Sequence, residues 1–302
     1  MSQTERNFDW FGFHKLLRRV VFRGTLANVE PLRIGTGKAE AAFEPVDAVV
    51  VKARDASGRV YPYIPGSSLK GAFRSYVVKL LRSQDIENVC DGVPKACCLG
   101  GKEFKDLEEK GVQHSHIVDA IASGKISICL ACFIFGSPGI SSHTKFYDAY
   151  PQEGTWRLGY RTMVAIDRRT GASHPGARYS VEYIEPGARF NFVIEFLNLP
   201  NYAIGVVAEA LLDLDMGLLK IGGMKSRGFG RLKIEKLDID VHDYRGEVKG
   251  IVYGLDPIDY DVVIDTNNWR NTLINFVNVW KNASTCLREI SKKRWVWRTC
   301  QK

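Results

Sequence analysis

Apolar and β-branched positions dominate residues 18–34 (RRVVFRGTLANVEPLRI), and the run ends in Gly-Thr-Gly-Lys, a pattern that predicts a strand entering a glycine loop. A second extended stretch starts at Val46 (VDAVVVKARD), turns through ASGR and resumes as the short strand VYPYI. After Pro65 and Gly66 the period changes. Leu69, Phe73, Val77 and Leu80 recur at spacings of four, four and three, which predicts one apolar helix face, with Ser67 or Ser68 placed to cap its start. Lys70, Arg74 and Arg82 fall on the other faces. From about 83 to 145 the periodicity weakens and Cys, His and Gly accumulate, as in an inserted subdomain rather than a core layer. Residues 156–196 predict two long antiparallel strands, TWRLGYRTMVAID and RYSVEYIEPGARFNFVIEF, around the polar turn RRTGASHPGA. A second helix is expected over about 203–216 (AIGVVAEALLDLDM), followed by IGGMKSRGFGRLKIEKLDIDV, which passes from loop to strand. Trp269, Leu273, Phe276 and Trp280 then mark one docking helix.

Strand, helix, insertions, strands, helix, strand is the order of an α+β protein: an antiparallel sheet with helices on one face, elaborated from a ferredoxin-like βαββαβ core. The pattern divides the chain into a core (18–82 and 146–245), a hairpin at about 156–196, an inserted subdomain at 83–145 and a C-terminal extension at 250–302. No fixed-period tandem repeat is visible.

Composition narrows the class. With 45% hydrophobic and 25% charged residues, the 302-residue chain is neither disordered nor low-complexity. The net charge of +8 favours polyanionic partners, but residues 288–302 hold six Lys/Arg against one Glu, so the excess is concentrated in the tail rather than spread as a coat. The most apolar run, ISICLACFIFG at 126–136, falls short of the roughly 18 residues that span a bilayer, and MSQTERNFDWFGFHK has no apolar signal core, so a cytoplasmic location without membrane contact is expected. Five of seven cysteines lie between Cys90 and Cys132, which suits a local metal site in a reducing compartment better than a disulfide framework.

Three strings carry chemistry. In IGGMKSRGFGRLKI (221–234) four glycines permit close backbone approach, and Lys225, Arg227 and Arg231 offer charge to phosphates; a solvated basic hairpin is the competing role. In YIPGSSLKGAFRS (63–75) a helix start offers N–H groups and a positive dipole end, with Ser67, Ser68 and Lys70 adding donors. In the cysteine-rich stretch, CLAC at 129–132 sets two thiolates at zinc spacing, and HSH at 114–116 and the CDGVPKACCLGG string from Cys90 offer the rest. The favoured set is Cys129, Cys132, His116 and Cys98, with His114 next, around a structural zinc. The competing role for Cys129 and Cys132 is burial as small hydrophobes in a strand ISICLACFIF.

IPGSSLKG and GGMKSRGFG together resemble the RAMP superfamily, the repeat-associated RNA-binding proteins of CRISPR systems. The early RIGTGK loop, Asp47 and TMVAIDRRTGA at 162–172 resemble the Csm-type backbone subunit of type III effector complexes. The resemblance implies a modified RRM-like core with a zinc-binding insertion and a thumb hairpin that crosses a guide and target duplex, with Ile166 and Met163 as wedges. It implies guide RNA, complementary target RNA and other subunits of the complex as partners. RNA contacts are expected from Gly35, Lys38, Ser67, Ser68, Lys70, Arg74, Arg168, Lys225, Ser226, Arg227 and, by base stacking, Phe229. Asp47 is implied as the catalytic carboxylate, holding a divalent metal such as Mg or Mn for in-line attack by a 2′-hydroxyl, with Glu44 its nearby competitor. Three other readings stay open: a stand-alone endonuclease that processes guide precursors, a structural member without cleavage, and a single-strand RNA-binding protein outside CRISPR.

Overall fold

Strand β1 (Arg18–Asn28) lies at the centre of the sheet because its alternate residues Val20, Phe22 and Leu26 are apolar and buried. A computed structural model describes residues 8–35, 48–92, 98, 102–246 and 249–300. In chain order β1 is followed by a small hairpin, β2 (Lys52–Arg54) and β3 (Val60–Pro62), and by helix α1 (Gly66–Ser83). Next come α2 (Lys102–Glu109), α3 (His114–Ala122), α4 (Leu130–Phe135), β4 (Thr144–Phe146) and β5 (Tyr150–Pro151). A hairpin of β6 (Leu158–Ile166) and β7 (Ser173–Ile184) leads to β8 (Arg189–Leu197), α5 (Asn201–Met216) and β9 (Leu232–Asp243). The extension holds β10 (Ile251–Val252), β11 (Val262–Val263) and α6 (Trp269–Lys292).

The main sheet has the antiparallel order β4-β8-β1-β9, with β5 added against β8. Taking β1, α1, β4, β8, α5 and β9 as the six elements, this is the ferredoxin-like arrangement the element order predicts. Phe22 faces Ile194 and Ile239 across the two registers, and this inner face packs under α5 and α6, with the Phe22 and Phe276 rings 6.0 Å apart. The outer face is polar and internally paired: Arg19 with Glu195, Arg23 with Asp240, Arg189 with Glu235. Tyr147 (44% exposed) and Tyr150 (46%) border it, the Tyr147 hydroxyl donating to the Glu195 carboxylate at 2.8 Å.

The structure departs from the pattern in four places. The second long strand expected over 178–196 is two strands, because Glu185-Pro186-Gly187 breaks it: proline supplies no ladder donor, and Gly187 takes φ +101°. β7 stays with β6 in a separate two-stranded sheet, while β8 enters the main one. The LACFIF run forms helix α4 rather than a strand, every residue buried, and together with Ile126 and Ile128 it belongs to the main hydrophobic cluster. The basic tail is not a free arm. Trp295 and Trp297 are buried, and Trp297 closes an aromatic cluster with Trp10, Phe11 and Phe133, its ring 5.6 Å from that of Trp10. Cys286 and Cys300 are joined as a disulfide, so the expectation that the thiols avoid such pairing fails for these two.

Polar groups fasten the extension to the core. The Asp259 carboxylate accepts the N–H groups of Asn201 (2.8 Å) and Tyr202 (3.1 Å) at the start of α5 and that of Leu255 (2.9 Å), while the buried Arg18 guanidinium donates to the carbonyls of Leu199 and Tyr253. His143, fully buried with Nδ1 2.8 Å from the Leu197 carbonyl oxygen, is pushed down to about 4 by desolvation. Its folded-state value is below the unfolded one, so the unfolded chain binds the extra proton and stability falls as pH drops from about 6.5 through 4, by roughly 3 kcal/mol at the acid end. Denaturant unfolding of wild type and His143→Gln between pH 7 and 4 is expected to show a steeper acid loss in the wild type; parallel curves would refute this assignment.

Candidate nucleic-acid interface and metal centre

The start of α1 is already occupied. Pro65 takes the cap position, the N–H groups of Ser68 and Leu69 turn back to its carbonyl, and the Gly66 N–H donates to Asp148 Oδ1 at 2.7 Å. Neither Ser67 nor Ser68 caps the helix; a carboxylate from the β4–β5 connection supplies the anion instead. The accessible donors lie along the helix side: Ser67, Gly71, Ser75 and Lys79 recur every fourth residue and are exposed.

That side meets the glycine-rich loop. Ala72, Ser75, Tyr76 and Lys79 of α1 face Leu218, Leu219, Lys220 and Lys225 across a groove of about 270 Å³. Lys220 is neutralised by Glu30 at 3.0 Å, whereas Lys79 and Lys225 have no ion-pair partner among the described residues. Burial, and then the charge of Lys79, push the Lys225 ammonium below its ordinary range. Two cations held this close favour an anion between them. Tyr76, at the groove floor, is pushed up to about 12 by burial and its bond to Asp213, so it stays a phenol.

The loop is fixed by backbone contacts. Gly223 N–H donates to the Arg33 carbonyl at 2.8 Å and Gly230 N–H to Pro31 at 2.9 Å. Gly222 adopts φ +85°, and a Cβ there would lie 2.3 Å from Arg33 O, so this position accepts only glycine. Lys225, Ser226 and Arg227 form a short exposed turn, and Arg227 Nη1 donates to Tyr179 Oη of the hairpin at 2.6 Å. Phe229 is 0% exposed: its ring lies edge-on to Tyr183, and the Arg161 guanidinium sits 5.2 Å above it. The expected stacking role for Phe229 is therefore replaced by packing, because the ring presents no face to solvent.

The neighbouring chain segment and the hairpin border the same loop. Ile34 O accepts from Val51 N at 2.8 Å, Glu182 N donates to Ala48 O at 2.9 Å, and the Glu182 carboxylate, 2% exposed, binds Val50 N (2.9 Å) and Lys52 Nζ (2.8 Å). Gly35 is exposed where this segment begins. Lys38, Glu44 and Asp47 lie outside the described residues. On the hairpin, Tyr160 (62% exposed), Val164 (44%) and Ile166 (58%) stand along β6, Arg168 is exposed at the turn, and Met163 points to the other face, opposite Tyr179.

Four cysteines converge on the opposite flank of α1. The Sγ atoms of Cys90, Cys98, Cys129 and Cys132 all lie within 4.8 Å of one another, with Cys90 to Cys132 2.9 Å and Cys90 to Cys129 3.6 Å. All four are free thiols. Four sulfurs at this spacing match the tetrahedral Cys₄ donor set of a structural zinc, whose Zn–S bonds are about 2.3 Å. Hydrogen bonds from Cys129 and Cys132 hold the Cys90 thiol below its ordinary range, while Cys132 is raised by Cys129 and Cys90, as in a cluster of thiols close enough to share protons.

The ligand set thus differs from the expected one: Cys90 takes the place given to His116. His116 is exposed on α3 and lines a separate groove beside Asp119 and Arg298. His114 begins α3, and its side chain lies outside the described residues. His116 lines that other groove, and the fourth sulfur comes from Cys90 on the segment that Arg82 holds through Val89 O and Asp91 Oδ1. Arg74 is corrected as well. Its guanidinium faces the cysteines, donating to Gly136 O (2.9 Å) and Cys132 Sγ (3.5 Å), and Lys70 beside it is half-buried and lowered by desolvation and by Arg74.

A family model described as RAMP superfamily matches residues 25–233. The chain is 23% identical over 283 residues to the CRISPR system Cms endoribonuclease Csm3 of Methanothermobacter thermautotrophicus (strain Delta H), covering 83% of this chain and 97% of that protein. It is also similar to a chain in the cryo-EM structure of the Type III-B Cmr-beta bound to cognate target RNA, at 16% identity and a TM-score of 0.44, covering 74% of this chain and 61% of that one. No helix among the described residues is long and apolar enough to cross a membrane.

Proposed function

The chain belongs to the RAMP superfamily, and from that premise we propose that it is a guide-RNA-binding backbone subunit of a type III CRISPR effector complex. The curated relative, named as a Csm3 endoribonuclease of a CRISPR system, supports this class. The observation that carries it is the groove between α1 and the glycine loop, where Lys79 and Lys225 face each other unpaired. Phosphates passing through would be held by these ammoniums and by hydroxyl and backbone donors of Ser67, Ser75, Ser226 and Arg227, which read a sugar-phosphate strand and not its sequence. Gly35 follows Arg33 and Ile34, and the Arg33 carbonyl accepts from Gly223 of the loop; Lys38 lies three positions further along the chain. The exposed apolar stripe of β6 and Arg168 at the hairpin turn are suited to entering the space between guide and complementary target RNA. Other subunits of the complex are the partners this role requires.

We assign the four-cysteine centre to a structural zinc, which Cys90, Cys98, Cys129 and Cys132 would hold; bound there, the ion would supply a crosslink and no reaction. Target cleavage, with Asp47 and a divalent metal such as Mg or Mn, is the finer part of the proposal. Neither His143, buried and neutral, nor His116, which stands on the α3 groove, supports the processing reading.

RNA binding tests the groove. Lys79→Ala with Lys225→Ala is expected to weaken binding of a guide-length RNA on the order of 100-fold at low salt and to reduce the log–log salt slope by about 1.4, because each lost phosphate contact on a single strand removes about 0.7. A slope equal to the wild type's would overturn the interface.

A further inference from the structure

α1 stands between the groove and the metal centre. Ser75, Tyr76 and Lys79 border the groove on one flank. On the other, Arg74 Nη1 donates to the carbonyl of Gly136, the residue that ends α4, and Nη2 donates to Cys132 Sγ. Two turns on, Arg82 Nη2 donates to Val89 O (2.9 Å) and Asp91 Oδ1 (2.8 Å). The 89–92 segment, which these two arginines contact, carries Cys90. Gly92 lies flat against the Arg74 guanidinium: its φ is +77°, and a Cβ would fall 2.1 Å from Arg74 Cζ. Arg74 thus touches both halves of the ligand set, one through a sulfur and the other through Gly92.

Charge gives the contact its weight. Four thiolates around one divalent cation leave a net charge of −2 in a site where Cys129 and Cys132 are buried. Arg74 is a cation whose N–H reaches a ligand sulfur, Cys132 Sγ, at 3.5 Å. A guanidinium donating to thiolate stabilises it and fixes its lone pair, the outer-shell role that metal ligands ordinarily need.

We propose that Arg74 is a positioning residue that couples the metal centre to α1, so that metal loading fixes the flank of the helix that lines the RNA groove. This rests on the zinc assignment above. Purified protein is loaded with zinc or cobalt(II), and three quantities are read: zinc release to a chromogenic chelator, the energy of the thiolate-to-cobalt charge-transfer band, and affinity for a guide-length RNA. Arg74→Gln is expected to speed release about tenfold, shift the band to longer wavelength and weaken RNA binding about fivefold. Arg82→Gln, which touches no sulfur, is expected to speed release without shifting the band. Should Arg74→Gln fold poorly, Arg74→Lys carries the test, because Lys lacks the two separate nitrogens with which Arg74 reaches Gly136 O and Cys132 Sγ, and the band still shifts. Wild-type release and an unmoved band would overturn the role of Arg74, and a shifted band with unchanged RNA affinity would overturn the coupling. Wild-type protein that binds neither metal would defeat the zinc assignment itself.

Discussion

Replacing Cys132 with serine is expected to abolish zinc retention and lower stability by about 3–5 kcal/mol, seen as a fall in Tm of roughly 6–15 °C. The size follows from where the ligand sits. Cys129 and Cys132 bracket the start of α4, whose six residues are buried in the main core against α1 and the aromatic cluster of Trp10, Phe11 and Trp297. A metal there would crosslink the 89–92 segment and Cys98 to the cysteines of α4, 31 to 42 positions further along the chain, so the binding free energy becomes folding free energy. Without it, buried thiols crowd one another with no cation to balance them. Thermal unfolding with and without a strong chelator checks this: chelation should lower the wild-type transition to that of Cys132→Ser and leave the variant unmoved. A chelator-insensitive wild type with the variant's Tm unchanged would show that the cluster is ordinary packing. His116→Ala, by contrast, is not expected to alter metal content, since that ring belongs to another groove.

How much of this was legible depends on which physical signal each element leaves in the chain. The 4-4-3 recurrence from Leu69 to Leu80 locates α1 because burying one face of a helix needs that period. Lys225 and Arg227 were visible as cations in a loop whose glycines have steric reasons to be there. The LACFIF run left no such signal: a short stretch buried on all sides has no polar face, so periodicity cannot separate helix from strand. The CxxC spacing fixed two ligands and no more, because the others come from segments whose approach is a tertiary fact. Arg74 shows the same limit from the other side. As a cation one turn after Lys70 it reads as a phosphate donor, and only the placement of Cys132 and Gly92 beside it reveals what it serves. Asp148 at the start of α1 was hidden because the carboxylate lies 82 positions from the N–H it accepts.

Asp47→Ala is expected to reduce cleavage of guide-matched RNA on the order of 10³-fold, about 4 kcal/mol of barrier, while assembly and guide binding stay within about twofold of wild type. Its neighbour Ala48 is fixed: Ala48 O accepts from Glu182 N, Val50 N is held by the Glu182 carboxylate, and Val51 N reaches back to Ile34 O. The chain therefore leaves the described structure at Gly35 and returns at Ala48 between the glycine loop and the hairpin, the two elements assigned to guide and target. A carboxylate on that segment would be suited to holding a divalent metal that organises attack by a 2′-hydroxyl, whereas Glu182 is buried against Lys52 and Glu30 is paired with Lys220. Glu44→Ala separates the neighbouring carboxylate: a modest effect leaves Asp47 as the metal holder, and an equal loss makes the pair a shared site. Cleavage by Asp47→Ala at the wild-type rate, in complexes that still carry guide RNA, would reduce this chain to a scaffold whose groove binds RNA without cutting it.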